Sequence, residues 1–145
     1  MTMMRFREFV ALPVAIALAL VFTLIAPHAA DSPAAGTGGA AIKHVTAEQA
    51  QKLLAAGKVV VLDLRTPGEF KGGCLSGATN LNFYAPDFEK QLAALDKNQA
   101  YLVHCASGYR SSQALPIFKK LKFQSIYHLD GGLKAWEKAG LPVKK

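Results

Sequence analysis

Residues 101–112 read Y-L-V-H-C-A-S-G-Y-R-S-S and decide which fold the chain can adopt. The apolar run at 101–103 is typical of a buried strand, and a cysteine stands where the run stops. The small residues at 106–108 allow a tight turn, and a helix-compatible segment follows. A strand, a tight loop and a helix start in this order aim backbone N–H groups and the positive end of a helix dipole at one point.

Cys105 stands at that point. Amide donors and a helix dipole favour the thiolate, which is the nucleophilic form of cysteine. A lone cysteine at a strand end is usually a small core residue, but the glycine and the arginine that follow favour a reactive group. We predict a catalytic Cys105 and a fixed positive charge over it from Arg110. The predicted substrate-binding loop consists of Ala106, Ser107, Gly108, Tyr109 and Arg110.

Strand and helix patterns alternate along the rest of the chain. Apolar runs predict strands at 42–45, 58–64, 78–82, 101–104 and 125–129. Helix signals predict segments at 46–56, 66–70, from Pro86 onward, 111–122 and 133–138. Thr46 and Gln49 have the spacing of a capping box, and Pro116 is expected to kink its helix or to lie in the first turn. This alternation indicates a parallel α/β sheet, whose sites form beyond the carboxyl ends of the strands.

Three motifs together resemble a known family. V-L-D-L-R-T-P-G-E-F at 61–70, C-A-S-G-Y-R-S at 105–111 and L-D-G-G-L-K-A-W at 129–136 are similar in order and spacing to single-domain rhodaneses. The resemblance implies one α/β domain with a five-stranded, mainly parallel sheet and helices on both faces. The implied strand order is first, fifth, fourth, second, third. The implied activity is sulfur transfer through a persulfide on Cys105, with no cofactor.

The substrates implied by the resemblance are a small anionic sulfur donor such as thiosulfate and a thiol or cyanide acceptor. The donor stays open, because Ala106 stands where thiosulfate-preferring loops often carry a basic residue. A non-catalytic module that binds or senses sulfur species is the alternative. A phosphatase-like or arsenate-reductase-like enzyme is less favoured, because four residues separate Cys105 from Arg110 where tyrosine phosphatases have five. The shorter loop suits one sulfur atom better than a tetrahedral oxyanion.

Several other side chains have predicted roles. Asp63 and Arg65 follow a strand beside the expected site and are predicted to orient the loop through hydrogen bonds. His104 is interpreted as a core histidine with satisfied hydrogen bonds. No Cys and His residues have metal-ligand spacing, so no metal is predicted. Cys74 replaces the histidine of the family pattern; a buried free thiol is favoured there, and a disulfide with Cys105 is the alternative.

The N-terminal segment has the features of a targeting sequence. Residues 1–30 begin with basic residues and continue with an apolar stretch at 9–26, which predicts a signal peptide or an uncleaved membrane anchor. Residues 31–41 are rich in glycine and alanine and predict a flexible linker, so the folded domain is expected at 42–145. An exported, periplasmic location follows, with membrane contact only through an uncleaved anchor.

The chain carries a formal net charge of +7. Its lysines are scattered, and no stacking aromatic residues or nucleic-acid motif accompany them, so no nucleic-acid partner is predicted. Attraction of small anionic sulfur donors is the narrower expectation from this charge.

Overall fold

The computed structural model describes residues 41–145. The signal peptide or anchor predicted at 1–30 and most of the predicted linker lie outside the described residues. The sequence predicts that the linker includes Ala41, but Ala41 is the first residue of a strand, one residue before the predicted start of the domain. Within residues 41–145, no helix combines the length and the apolar character needed to cross a membrane.

Strands and helices alternate through the described residues. In chain order they are β1 (Ala41–Val45), α1 (Ala47–Ala55), β2 (Val60–Asp63), α2 (Pro67–Lys71), β3 (Thr79–Asn80), α3 (Phe88–Ala93), β4 (Ala100–His104), α4 (Tyr109–Lys120), β5 (Ser125–Leu129) and α5 (Gly132–Lys138). The five strands form one sheet in the order β1-β5-β4-β2-β3, and every neighbouring pair is parallel. The predicted fold class and the strand order implied by the resemblance are confirmed.

The sheet is buried on both faces. Paired residues of β2 and β4 alternate between two apolar clusters, with Leu62 beside Val103 in one and Val61 beside Leu102 in the other. Helices α3 and α4 cover the first cluster, and α1 and α5 cover the second. This two-sided burial explains why β2 and β4 are continuous apolar runs in the sequence. It also leaves the carboxyl ends of the central strands as the edge where polar groups can gather.

Side-chain caps fix where two of the helices begin. The predicted capping box of Thr46 and Gln49 opens α1 and is confirmed. Thr66 and Glu69 form a second capping box at α2, with Pro67 in the first turn. Each box satisfies backbone N–H groups that have no partner inside the helix. The second box also fixes the backbone of Glu69, whose carboxylate contributes to the site described below.

Two predicted helix starts were wrong. The helix expected from Pro86 begins at Phe88. The helix expected from Ser111 begins at Tyr109, directly after Gly108, which has a φ of 90°. Pro116 therefore lies inside α4, past the first turn to which the sequence could have assigned it.

The strand predicted at 78–82 is reduced to β3, Thr79–Asn80. The side-chain amide of Asn80 donates to the carbonyls of Asp63 and Arg65, at 3.0 and 2.8 Å. Part of the pairing at this edge of the sheet is therefore made by a side chain. A strand pattern in the sequence does not distinguish this from a longer backbone ladder.

Candidate active site

Cys105 follows the last residue of β4 and is almost completely buried, with 1% of its surface exposed. The backbone N–H of Gly108 donates to its Sγ atom at 3.2 Å. The hydroxyl of Ser111 lies 3.6 Å from the same sulfur. The sulfur therefore faces hydrogen-bond donors from the loop and from the first turn of α4.

These donors change the acidity of the thiol. Burial by itself raises the pKa of Cys105, but hydrogen bonds outweigh it and hold the pKa below its ordinary value. The donors are the amide and hydroxyl of Ser111 and the amides of Ser107 and Gly108. Ser111 was not among the predicted site residues. A hydroxyl residue in the first turn of the helix after the loop was the available signal.

The predicted loop residues lie in different environments. Ser107 is exposed and Gly108 is buried, while Tyr109 is 67% exposed and points its ring toward solvent. Gly108 needs its positive φ to turn the chain from the loop into α4, which is why glycine suits this position. Ala106 is half-buried and its carbonyl accepts from α5, as described next. The loop thus combines a backbone held by hydrogen bonds with the exposed aromatic side chain of Tyr109.

The N-terminus of α5 holds the loop by its carbonyl groups. The N–H of Leu133 donates to the carbonyl of Cys105 at 2.8 Å, and that of Lys134 donates to Ala106 at 2.9 Å. A Cβ atom on Gly132 would lie 2.5 Å from the Cys105 carbonyl, so only glycine allows this approach. The sequence places residues 130–132 near the loop, and the structure adds that α5 binds its backbone and not the sulfur.

Arg110 is paired with a carboxylate. Its guanidinium donates to both carboxylate oxygens of Glu69, at 2.7 and 2.8 Å. The hydrogen bonds from Arg110 lower the pKa of Glu69 to about 2, and those to Glu69 raise the pKa of Arg110. The sequence predicts a fixed positive charge over Cys105, and the structure adds that this charge lies in a bidentate ion pair. The arginine therefore stands near the loop with its charge largely compensated.

Asp63 and Arg65 form a second bidentate pair, which is buried. Arg65 donates to both oxygens of Asp63 at 2.6–2.9 Å and to the carbonyl of Gly73 at 2.6 Å. The predicted role was to orient the Cys105 loop. The structure shows the guanidinium fixing the turn after α2 instead. The pair contacts the Cys105 loop only indirectly. Leu64, the residue between Asp63 and Arg65 in the sequence, donates its N–H to the carbonyl of His104 at 2.9 Å.

The hydrogen bonding predicted for His104 is half correct, since Nδ1 has a partner in the carbonyl of Cys105, at 3.2 Å. His104 is fully buried, as expected, but its Nε2 atom has no hydrogen-bond partner among the described residues. The closest charged atom is Oδ2 of Asp63, at 3.7 Å. Burial lowers the pKa of His104, so the ring is neutral. This ring occupies the core directly before the cysteine and contributes no charge to it.

Comparison with known proteins identifies the family. The sequence profile of the Rhodanese-like domain matches residues 46–139. This chain belongs to the rhodanese-like domain family. The match spans the cysteine loop, the two capping boxes and the glycine pair at the start of α5, so it covers the arrangement described above.

Relatives and solved structures agree with this assignment. Thiosulfate sulfurtransferase GlpE of Stutzerimonas stutzeri is 37% identical over 95 residues, which cover 65% of this chain and 84% of the relative. The chloroplastic thiosulfate sulfurtransferase 16 of Arabidopsis thaliana is 34% identical, with 69% of this chain and 91% of the relative covered. The crystal structure of a rhodanese-related protein from Thermoplasma volcanium gives a TM-score of 0.64 at 25% identity, covering 70% of this chain and 97% of that one.

Cys74 of this rhodanese-like domain is a free thiol, and so is Cys105. The alternative disulfide between them is therefore not formed. The buried free thiol favoured by the sequence is also only partly correct, because Cys74 is half-buried. Its backbone pairs with Lys144 in an isolated antiparallel bridge, with both N–H to carbonyl distances at 2.8 Å.

The sequence missed a polar cluster that touches the loop from the other side. His128 Nε2 lies 2.9 Å from the Ser111 hydroxyl, and His128 Nδ1 lies 3.0 Å from Oδ1 of Asp130. His44 also contacts this carboxylate, at 2.7 Å. Ligand spacing along the chain could not reveal the cluster, because His44 and His128 are 84 residues apart and meet only as register partners of β1 and β5. The implied strand order, which pairs β1 with β5, was the available signal.

Proposed function

We propose that this domain transfers a sulfane sulfur from an anionic donor such as thiosulfate to a thiol or cyanide acceptor, through a persulfide on Cys105. The observation that carries the proposal is the contact between the Gly108 N–H and Sγ of Cys105, at 3.2 Å, beside the Ser111 donors. These donors favour the thiolate. The same preorganised donors stabilise negative charge on an added sulfur atom, as they stabilise an oxyanion in other enzymes.

In the first half-reaction the Cys105 thiolate attacks the outer sulfur of thiosulfate. A new S–S bond forms between the two sulfur atoms, and the original S–S bond of thiosulfate breaks. Sulfite leaves with the electron pair of that bond. The enzyme is left with a persulfide, whose terminal sulfur carries the negative charge.

In the second half-reaction an acceptor removes the terminal sulfur. A thiolate acceptor takes it as a new persulfide, and cyanide takes it as thiocyanate. The electron pair of the broken S–S bond returns to Cys105 as the thiolate. No electrons enter or leave the protein over the cycle, so the chemistry requires no redox cofactor.

The burial of Cys105 supports the proposal that the reactants are small. With 1% of the residue exposed, the sulfur is reached only by a group narrow enough to enter the loop. Thiosulfate and cyanide meet this condition, and the positive charge of Arg110 lies near enough to Cys105 to interact with it electrostatically. The relatives named thiosulfate sulfurtransferase support the same substrate class.

The test is steady-state cyanide-dependent cleavage of thiosulfate by wild type, Cys105→Ser and Cys74→Ser. We expect activity in the wild type and in Cys74→Ser, and loss of activity in Cys105→Ser. Mass spectrometry after incubation with thiosulfate should find one added sulfur on the peptide that contains Cys105. Cys74→Ser is the matched control, because it removes the other thiol of the chain.

Two results would replace the proposal. Absence of both turnover and the added sulfur in the wild type would favour the non-catalytic module that binds or senses sulfur species. Hydrolysis of a small aryl phosphate, lost in Cys105→Ser, would favour the phosphatase-like alternative.

Residues 1–30 are proposed to direct export, so that the domain acts outside the cytoplasm. A basic start followed by an apolar stretch supports this. N-terminal sequencing of the protein recovered from periplasmic and membrane fractions tests it and separates a cleaved signal from an anchor. Recovery in the cytoplasm would contradict it.

A further inference from the structure

Three side chains with metal-ligating atoms meet where β1 and β5 end. His44 Nδ1 lies 2.7 Å from Oδ1 of Asp130, and His128 Nδ1 lies 3.0 Å from the same oxygen. The two Nδ1 atoms are 3.3 Å apart. All three ligand atoms therefore point at one small region where β1 and β5 end.

The sheet itself positions these ligands. His44 and His128 are register partners on neighbouring parallel strands, so their side chains leave the same face of the sheet. Asp130 stands two residues after His128 and returns to that face, and its N–H donates to the carbonyl of Val45 at 3.0 Å. Ligands held by strands and a ladder hydrogen bond are placed more precisely than ligands on a free loop.

The spacing of the three atoms suits a common metal ion. Zinc lies about 2.0–2.2 Å from nitrogen and oxygen ligands, so two ligands at tetrahedral or right angles are roughly 2.9–3.4 Å apart. The observed separations of 2.7, 3.0 and 3.3 Å are close to this range. An ion about 2.1 Å from each atom would lie slightly above their plane.

The cluster is also accessible from solvent. The side chains of His44 and Asp130 are 57% and 55% exposed, whereas that of His128 is 3% exposed. An ion can therefore enter over His44 and Asp130 and rest against the buried ring. Two imidazoles and a carboxylate with open positions form a ligand set used for divalent transition metals.

We propose that His44, His128 and Asp130 bind a divalent transition-metal ion of the zinc class, and that binding is transmitted through Ser111 to Cys105. The proposal is independent of sulfur transfer, because it concerns a second site and the reactivity of a thiol.

The transmission follows from the two nitrogens of one ring. The Asp130 carboxylate can accept from His128 only when the ring hydrogen is on Nδ1, and in that tautomer Nε2, 2.9 Å from the Ser111 hydroxyl, competes with the sulfur for the hydroxyl hydrogen. A metal ion on Nδ1 requires the ring hydrogen on Nε2. His128 then donates to Ser111 and no longer accepts from it.

Metal binding therefore removes His128 from the acceptors that compete for the Ser111 hydroxyl hydrogen. The remaining acceptors are Sγ of Cys105 at 3.6 Å and the carbonyl of Gly108 at 3.0 Å. A hydroxyl that donates to the sulfur stabilises the thiolate. Metal binding is therefore expected to make Cys105 more reactive.

The first test is titration of the full-length, untagged chain with Co²⁺, followed by its visible d–d absorption. We expect one equivalent to bind with nitrogen and oxygen ligation and without a sulfur-to-cobalt charge-transfer band. His44→Gln and Asp130→Asn should each weaken binding by more than roughly tenfold, which is the lower limit seen for loss of even an outer partner. The double variant Cys74→Ser/Cys105→Ser is the control and should bind as the wild type does.

Equal binding by wild type and His44→Gln would overturn the site, as would loss of the spectrum in the double cysteine variant. Absence of any Co²⁺ spectrum in the wild type would overturn it too. In that case the three side chains form a hydrogen-bonded group only.

The second test measures alkylation of Cys105 by iodoacetamide at fixed pH, with and without Zn²⁺. Mass spectrometry separates Cys105 from Cys74. We expect a severalfold faster reaction with Zn²⁺ in the wild type and no change in His44→Gln. An equal change in both proteins would show direct binding of Zn²⁺ at the thiol, and no change despite Co²⁺ binding would show that the site is uncoupled; either result overturns the transmission.

Discussion

Two bidentate arginine–carboxylate pairs, Arg65 with Asp63 and Arg110 with Glu69, differ mainly in burial. In the pair of Arg65 and Asp63, the side chains are 6% and 0% exposed. In the pair of Arg110 and Glu69, they are 12% and 38% exposed. Both pairs have a shortest N–O distance of 2.6–2.7 Å, so geometry alone does not separate them.

Burial gives the two pairs different functions. Neither partner of the buried pair can be separated without leaving a charge in the protein interior, so this pair is a permanent part of the fold. The carboxylate of the exposed pair can exchange Arg110 for water at small cost. Under the proposed sulfur transfer, we expect Arg110 to turn from Glu69 toward the anionic donor at the loop. One pair maintains the domain, and the other is suited to respond to a substrate.

The largest expected effect is on the buried pair. Arg65→Met leaves the Asp63 carboxylate charged and without its partner, and it also removes a donor from the Gly73 carbonyl. We expect the free energy of unfolding to fall by about 3–5 kcal/mol, measured by urea denaturation. The exposed pair of Lys120 and Glu89 provides the control, since Lys120→Met should cost less than about 1 kcal/mol. Equal losses of unfolding free energy in Arg65→Met and Lys120→Met would contradict the expected difference between a buried and an exposed pair.

Removal of the other arginine should have the opposite profile. Arg110→Gln should change the free energy of unfolding by less than about 1 kcal/mol. It should raise KM for thiosulfate by roughly tenfold. The substitution removes the charge attraction between Arg110 and the anion, and a loss of about 1.4 kcal/mol in binding corresponds to that factor. Arg110→Lys is the matched variant and should recover part of the loss, since it keeps the charge without the fork. A large loss of stability with unchanged KM would assign Arg110 to structure.

A smaller effect is expected when Arg110 loses its partner. Glu69→Gln removes the carboxylate that compensates the guanidinium, so more positive charge acts on the loop. We expect KM for thiosulfate to fall by about two- to threefold at low salt, and the effect to shrink at high salt because exposed charges are screened. An increase in KM would mean that Glu69 holds Arg110 in its productive position.

The smallest expected effect is a pH dependence of stability. The folded-state pKa of Glu69 is about 2 and its ordinary value is 4.5, so the pair stabilises the fold above pH 4.5 and is lost as the pH falls toward 2. Because the Glu69 side chain is 38% exposed, we expect at most about 1 kcal/mol. Urea denaturation of wild type and Glu69→Gln between pH 2 and 6 measures it as their difference. If the difference in unfolding free energy between the two proteins does not change with pH, the lowered pKa of Glu69 does not contribute to stability.

Features that are local in the sequence were the easiest to predict. The strand that ends just before Cys105, the tight turn at Gly108 and the capping box of Thr46 each depend on residues that are close together in the sequence. Their physical causes are complete in a short window, so the pattern is sufficient. The strand order came from the resemblance, because pairing between distant strands leaves no trace in a local pattern.

Features that depend on distant residues were predicted poorly. The sequence could not show that Glu69 forms an ion pair with Arg110, since the two residues are 41 positions apart in the chain. It also could not show that Arg65 donates to the carbonyl of Gly73, because that contact depends on how α2 folds the chain back toward Arg65. The cluster at His44 required knowledge of which residue of β5 lies opposite. In each case the missing quantity was register or side-chain direction.

The shortness of β3 has a consequence for self-association. A sheet edge with many free N–H and carbonyl groups can recruit a strand from another molecule and begin aggregation. Here that edge is only two residues long. Such an edge offers too little backbone to template growth, so the domain is protected against aggregation on this side by its own geometry.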